Sequence, residues 1–262
     1  MVEGRFAGRV VLITGAGSGF GAAAARAFAT EGASLALSDR DGAALAAVAD
    51  GLRVAGAKVL AAEVDVTEEA DVAGHVADVL ARLGRLDVAV NNAGVCQALL
   101  PLAETPLAEY ERMMAVNARG VFLGLKHQLP LMVAQGAGAI LNIASAAGLV
   151  GAGGLAAYAA SKHAVVGLTR AAADEVARHG VRVNALCPAF ADTPLFAELA
   201  APFAEVRGID RAGAEARIAS RVPMQRVART DEVVQAMLWA CAPENSFMTG
   251  QAIAIDGGLT AV

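Results

Sequence analysis

Two patterns of apolar and polar positions alternate along the chain. Short runs of Val, Ile, Leu and Ala recur at Arg9–Thr14, Ser34–Asp39, Lys58–Asp65, Leu86–Asn91, Gly138–Ser145, Val181–Cys187 and Gln251–Asp256. Between them lie alanine-rich stretches of helical length near 20–31, 42–55, 68–83, 106–134, 156–179 and 230–242. Side chains alternate between the two faces of a strand, so a run that is apolar throughout is a strand covered on both sides. Seven such strands separated by helices predict a doubly wound α/β fold, a parallel seven-stranded sheet with helices on both faces. No linker or low-complexity tract interrupts the pattern, so 1–262 reads as a single domain. The odd segment is 189–223, richer in Pro, Phe and charge. It follows the sixth strand at the edge where such sheets bind ligands, and is predicted to be a substrate lid.

The first strand runs directly into "TGAGSGFG", Thr14–Gly21, which opens the first helix. Glycines let the backbone approach a pyrophosphate, and a helix N-terminus offers it free N–H groups and a partial positive charge. Strand before and helix after is the context that gives such a turn meaning, and it predicts a dinucleotide site of the Rossmann kind. The second strand ends in Asp39, eighteen residues past Gly21. Its carboxylate is placed to accept from an adenosine ribose and would repel a 2′-phosphate, so NAD is preferred over NADP. Arg40 follows and softens that preference.

Composition narrows the partners. A formal charge of −5 disfavours nucleic acid and anionic membranes. Three scattered cysteines, Cys96, Cys187 and Cys241, suggest neither a disulfide framework nor a zinc site, and fit the cytoplasm. The histidines His75, His127, His163 and His179 show no ligand spacing, so no metal is assigned. The short apolar run near the N-terminus is broken by glycines too early for a signal peptide. No Asp, Glu, Lys or Arg occurs between Lys126 and Lys162, but Pro130, Asn142, Ser145 and several glycines interrupt the stretch, so it is no membrane span.

That stretch ends in "YAASKHAVVGLTR", where one of two tyrosines, Tyr158, stands four residues before one of three lysines, Lys162. In a helix these two share a face, which places a phenol and an ammonium in one cleft. Asn117 lies within a helical stretch for which Asn is a poor former.

Taken together, the chain resembles the short-chain dehydrogenase/reductase family over essentially its whole length. Thr14, Gly15, Gly19 and Gly21 match the family's TGxxxGxG turn, with Ser18 inside it and Phe20 where Ile or Leu is usual. "NNAG", Asn91–Gly94 with Ala93 inside it, matches the motif that stabilises the sheet and borders the cofactor's ribose. Asp65 and Val66 match the adenine-contacting pair, and Asn117, Ser145, Tyr158 and Lys162 match the catalytic tetrad. Pro188 and Thr193 match positions near the nicotinamide, while Ala189 stands where the family has Gly. The resemblance implies that Asn117 holds a water linked to Lys162. It also implies a homotetramer built on the two long helices and the C-terminal segment, with Gly120, Gly124 and Ala171–Ala173 allowing close helix approach.

The chemistry follows from these residues. A free phenol, with a pKa of about 10, is too weak a base at neutral pH. Lys162 and a positively charged nicotinamide would both favour the phenolate. Ser145 would donate to the substrate oxygen. The positions flanking the motifs, Val95, Cys96, Gln97, Ala146, Ala147, Leu155, Phe190, Leu195 and Phe196, are mostly apolar, which suits a hydrophobic and possibly cyclic secondary alcohol or its ketone. Two other readings are a 3-oxoacyl thioester reductase and a dinucleotide-sensing module without chemistry. The first is disfavoured by Ser18 and Asp39 where basic residues would serve NADPH, and the second by retention of Tyr158 and Lys162.

Overall fold

The computed structural model describes residues 4–261, apart from the side chains at positions 202, 203, 206, 207 and 211; the first three residues of the N-terminal segment considered above fall outside it. Seven strands, β1 (Val10–Thr14), β2 (Ser34–Asp39), β3 (Val59–Glu63), β4 (Val88–Asn91), β5 (Gly138–Ile143), β6 (Val181–Pro188) and β7 (Ala252–Ile255), form one sheet in the order β3-β2-β1-β4-β5-β6-β7. Every neighbouring pair is parallel.

The strands are buried because each face carries its own core. Val11, Ile13, Leu35, Leu37, Val88, Val90 and Leu141 point to one side and pack against helices α1 (Gly19–Thr30), α2 (Gly42–Val54) and α9 (Thr230–Cys241). Val10, Leu12, Ala36, Ala89 and Ile140 point to the other and pack against α3 (Glu69–Leu83), α5 (Gly120–Gln135) and α6 (Ala156–Val176). Period-two alternation with both faces apolar is what a parallel sheet between two helix layers requires.

The chain winds outward from β1 in both directions, so the carboxyl ends of β1 and β4 diverge and open a crevice between them. At the opposite edge the same two strands are clamped. The Asp87 carboxylate accepts from Val10 N (2.9 Å), Arg9 (3.0 Å) and Arg85 (2.6 Å). Burial pushes its pKa up, but these donors prevail and hold it below the ordinary value.

Two features differ from the sequence pattern. The predicted helix at 106–134 is α4 (Leu107–Met113), a π-helical turn at Met114–Arg119, and α5. The region 189–223 is mostly helical, containing α7 (Pro194–Arg207) and α8 (Arg211–Ala219). Gly120 and Gly124 have close neighbours within the subunit. A Cβ at 120 would lie 2.9 Å from Val66 Cγ2, and one at 124 would lie 2.7 Å from Asn91 Oδ1. Ala172 and Ala173 are likewise buried against the sheet.

His75 on α3 is buried, and neither ring nitrogen has a hydrogen-bond partner. Burial lowers its pKa from 6.5 to about 4, with Asp78 opposing. The unfolded chain therefore binds the proton more tightly than the folded one. Stability from this group is full above about pH 6.5 and falls as the pH drops toward 4. Urea unfolding is expected to lose about 2 kcal/mol between pH 7.5 and 5 through His75. His75→Leu should remove most of that slope; an unchanged slope in the variant would assign the acid sensitivity elsewhere.

Candidate active site

The glycine turn is shaped by contacts that leave room for nothing but hydrogen at several α-carbons. Gly15 and Gly19 have φ of +66° and +49°, conformations that side chains disfavour. A Cβ at Gly15 would lie 2.9 Å from Ala93 Cα, and one at Gly21 would collide with the Gly15 carbonyl. The turn is tied to the end of β4. Thr14 Oγ1 accepts from Asn92 N and Ala93 N (3.0 Å each), and Asn92 Nδ2 donates to Thr14 O (2.9 Å) and Gly15 O (3.1 Å). Ser18 precedes α1 without capping it by its side chain, so the helix presents free N–H groups to the crevice.

Asp39 closes the turn from β2. One carboxylate oxygen accepts from Gly17 N (2.8 Å) and the other from Asp41 N (3.0 Å), each keeping a lone pair for a ligand. Asp65 accepts from Thr67 N (2.8 Å), a bond that leads in holding its pKa down.

Ser145, Tyr158 and Lys162 converge where β5 ends. Ser145 leaves the strand in extended conformation, and its Oγ accepts from Ala147 N (3.2 Å). The phenol of Tyr158, in the first turn of α6, lies near the Ser145 hydroxyl, which favours its ionised form. One turn on, Lys162 Nζ donates to Ile143 O (2.8 Å) and lies 5.6 Å from the centre of the Tyr158 ring. Gly148 lets α6 approach this closely, since a Cβ there would sit 2.7 Å from Lys162 O.

Burial dominates the electrostatics. It raises the Tyr158 phenol above its usual 10, with the Cys96 side chain adding to the rise and the Ser145 hydroxyl opposing it. It lowers the Lys162 ammonium from 10.5 to about 8. Burial thus opposes the phenolate, which the charges of Lys162 and of an oxidised dinucleotide would favour.

Asn117 sits in the π-helical turn, fully buried. Its Oδ1 accepts from Val95 N (2.8 Å), and its Nδ2 donates to Val95 O (3.0 Å) and Ser161 Oγ (3.0 Å). The side chain thus fixes the strand after β4, with one Oδ1 lone pair left. A Cβ at Gly94 would lie 3.2 Å from that oxygen and 3.4 Å from Lys162 Nζ, so both border the same small space.

One cavity of about 700 Å³ runs from Asp39, Arg40, Asp65 and Val66 past Gly15, Ser18, Gly19, Phe20, Ala93 and Gly94 to Ser145, Tyr158 and Lys162. Pro188, Ala189 and Thr193 border it, as do Val95, Cys96, Ala146, Ala147, Leu155, Phe190, Leu195 and Phe196. Thr193 also caps α7, accepting from Phe196 N (3.3 Å), and burial pushes the Cys96 thiol up to about 11.

Four assigned residues do not border the cavity, the fully buried Asn117 being one of them. Gly21 packs on Gly15; Asn91 lies within the sheet, donating to Gln128 (3.1 Å) and Asn142 (2.9 Å). Gln97, expected in the substrate pocket, is 3% exposed and turned inward. Its Oε1 accepts from Tyr158 N (2.9 Å) and its Nε2 donates to Gly154 O (3.5 Å), so it seats the first turn of α6. The sequence reading passed over Asn92, Arg112, Val150, Glu198, Leu199, Arg221 and Leu259, which line the cleft. Of these only Asn92, inside "NNAG", carried a signal along the chain.

The family described as enoyl-(acyl carrier protein) reductase matches residues 15–260. The chain is 43% identical over 258 residues to cis-4-hydroxycyclohexanecarboxylate dehydrogenase of Sinomonas cyclohexanicum, covering 98% of each chain. It belongs to the short-chain dehydrogenase/reductase family. A second short-chain relative, 2,5-dichloro-2,5-cyclohexadiene-1,4-diol dehydrogenase of Sphingobium indicum, is 41% identical over 97% of this chain and 98% of its own. The crystal structure of levodione reductase superposes with a TM-score of 0.93 at 36% identity, covering 98% of this chain and 99% of that one. As a short-chain dehydrogenase/reductase the protein is an oxidoreductase of secondary alcohols and ketones that uses a nicotinamide dinucleotide. Among the described residues no helix is long and apolar enough to cross a membrane.

Gln97→Ala leaves Tyr158 N and Gly154 O without their side-chain partner. It is expected to lower stability by about 1–2 kcal/mol and to reduce kcat more than it raises KM, as measured by urea denaturation and steady-state kinetics. An unchanged kcat would separate Gln97 from the placement of Tyr158.

Proposed function

We propose that the protein is an NAD-dependent dehydrogenase of hydrophobic, cyclic secondary alcohols, working as a homotetramer in the cytoplasm. The observation that carries the reading is the convergence of Ser145, Tyr158 and Lys162 on one wall of the cavity whose other end is the glycine turn. The named relatives act on ring compounds, and the walls beside Tyr158 are apolar.

The residues fit a dinucleotide. Gly15 and Gly19 with the start of α1 would hold its pyrophosphate, Asp39 a ribose, Asp65 and Val66 the adenine, and Ala93, Gly94, Pro188 and Thr193 the nicotinamide end. Once bound, it supplies the acceptor or donor of hydride. Ser145 Oγ donates to the substrate oxygen and fixes it beside the phenol. Tyr158 takes the proton from the alcohol, or returns it to the ketone. Lys162 stabilises the phenolate by its charge, and the space bordered by Nζ and Asn117 Oδ1 beside Gly94 is the relay's way out. The Asp39 carboxylate selects against a 2′-phosphate, which favours NAD.

Three free cysteines suit a reducing compartment. Among the exposed apolar side chains, Leu107, Tyr110 and Phe122 lie on α4 and α5, and Trp239 and Phe247 lie on α9 and in the segment before β7. Two separate self-contacting surfaces generate a tetramer. Sedimentation of a monomer would remove that part of the proposal.

In an assay of cyclohexanol oxidation, NAD is expected to give at least about ten times the kcat/KM of NADP. Tyr158→Phe is expected to lower kcat by about 10² to 10⁴ while NADH binding, followed by fluorescence, stays within about threefold. Retention of more than about a tenth of the activity would remove Tyr158 as the base. A preference for NADPH with a 3-oxoacyl thioester would replace the ring-alcohol reading.

A further inference from the structure

Four cations line the cleft, and two of them, Lys162 and Arg112, are already bonded. Arg40 lies at the adenine end, where its charge lowers the Asp65 pKa. Lys162 is bonded to Ile143 O. Arg112 makes two bonds to Glu109 (3.1 and 2.9 Å) and a third to Cys96 O (2.9 Å). Arg221 is different. It is exposed, borders the same cavity, and its guanidinium makes no hydrogen bond or ion pair to any described residue.

Its backbone is nonetheless well fixed. Arg221 N donates to Ile218 O (3.2 Å), and Ile218 packs into a cluster with Phe196 and Ala200 of α7 and with Phe190. The next residue, Val222, is buried against the C-terminal turn, where a Cβ at Gly257 would lie 2.6 Å from Val222 Cγ1. Arg221 therefore stands where the lid meets the C-terminal segment, beside the cleft-lining Leu259 and opposite the glycine turn in function.

The cavity lining includes the apolar Leu155, Phe196, Leu199 and Leu259, and Phe196 belongs to the cluster in which Ile218 packs. Glu198 also borders the cleft, but its charge is felt at Arg112 and Cys96, where it adds to Glu109. The mouth thus has an acidic side at Arg112 and a cation without counter-charge at Arg221. A guanidinium presents a planar fork of donors that matches a carboxylate in two parallel bonds. We propose that Arg221 receives a carboxylate borne by the substrate, so that the preferred substrate is a hydroxylated ring acid rather than a neutral ring alcohol. This rests on the ring-alcohol reading and extends it. The ring lies along the apolar wall, its hydroxyl at Ser145 and Tyr158 and its acid group at the lid.

The test compares kcat/KM for 4-hydroxycyclohexanecarboxylate and for cyclohexanol, both with NAD, in the wild type, Arg221→Gln, Arg221→Lys and Arg217→Gln. Arg217 is an exposed cation on α8, four residues before Arg221, that does not border the cleft. The wild type is expected to favour the acid by about tenfold or more. Arg221→Gln should lower that ratio about tenfold, chiefly through KM for the acid, with Arg221→Lys recovering part of it and Arg217→Gln leaving the ratio in place. A ratio within one variant is insensitive to the fraction folded. The proposal is overturned if Arg221→Gln leaves the ratio unchanged, if Arg217→Gln lowers it as much, or if the wild type prefers cyclohexanol. Oxidation of cyclohexanol without oxidation of the acid removes the carboxylate subsite and leaves the ring-alcohol function standing; oxidation of neither removes both.

Discussion

The site depends on holding the diverging ends of β1 and β4 at a fixed separation. A parallel sheet that winds outward from its centre leaves a crevice there, but a crevice between two loops is soft unless something joins them. Here Asn92 and Thr14 join them by four hydrogen bonds, two to a side-chain hydroxyl and two to backbone carbonyls. The glycine turn then has only one place to lie, because Gly15 already touches Ala93. The next segment is fixed in turn by Asn117, which pairs with both backbone groups of Val95. The walls of the cleft are thus set by polar side chains bonded to backbone, and this gives a loop-built site the rigidity of the sheet.

Within that frame, burial works against the protonation states that catalysis needs. The phenol is pushed up and the ammonium down, so burial disfavours both charged forms, although at about 8 the ammonium stays mostly protonated at neutral pH. An oxidised dinucleotide bound beside the phenol would add a positive charge that favours the phenolate. The same burial explains why Lys162 is anchored to the Ile143 carbonyl: an ammonium in an apolar setting needs a partner to remain charged at all.

Much of this was legible along the chain, and the reason lies in periodicity and scarcity. Strands covered on both faces are apolar throughout, helices on the sheet are alanine-rich, and one of two tyrosines beside one of three lysines marks a shared helix face. What escaped was set by contacts distant in sequence. Gln97 looks like any polar loop residue, and its partner is a backbone N–H 61 residues away. Gly120 and Gly124 are spaced as a helix-packing pair is, but their neighbours within the chain are Val66, in the loop after β3, and Asn91 on β4. The helices of the lid were hidden because α7 opens with Pro194 and α8 is polar and short, so neither repeats the pattern of the helices on the sheet. Arg221 carries no local signal; only the fold places it on the cleft.

The lid also joins the two halves of the cleft through one short segment. Pro194 lies over the glycine turn, 3.7 Å from where a Cβ on Gly19 would stand, and Thr193 caps the helix that carries Phe196 into the substrate wall. The first turn of α7 therefore touches the cofactor side at one residue and the substrate side two residues later. A Ser or Thr cap of this kind contributes about 1 kcal/mol, and here that energy is spent at the junction of the two binding halves.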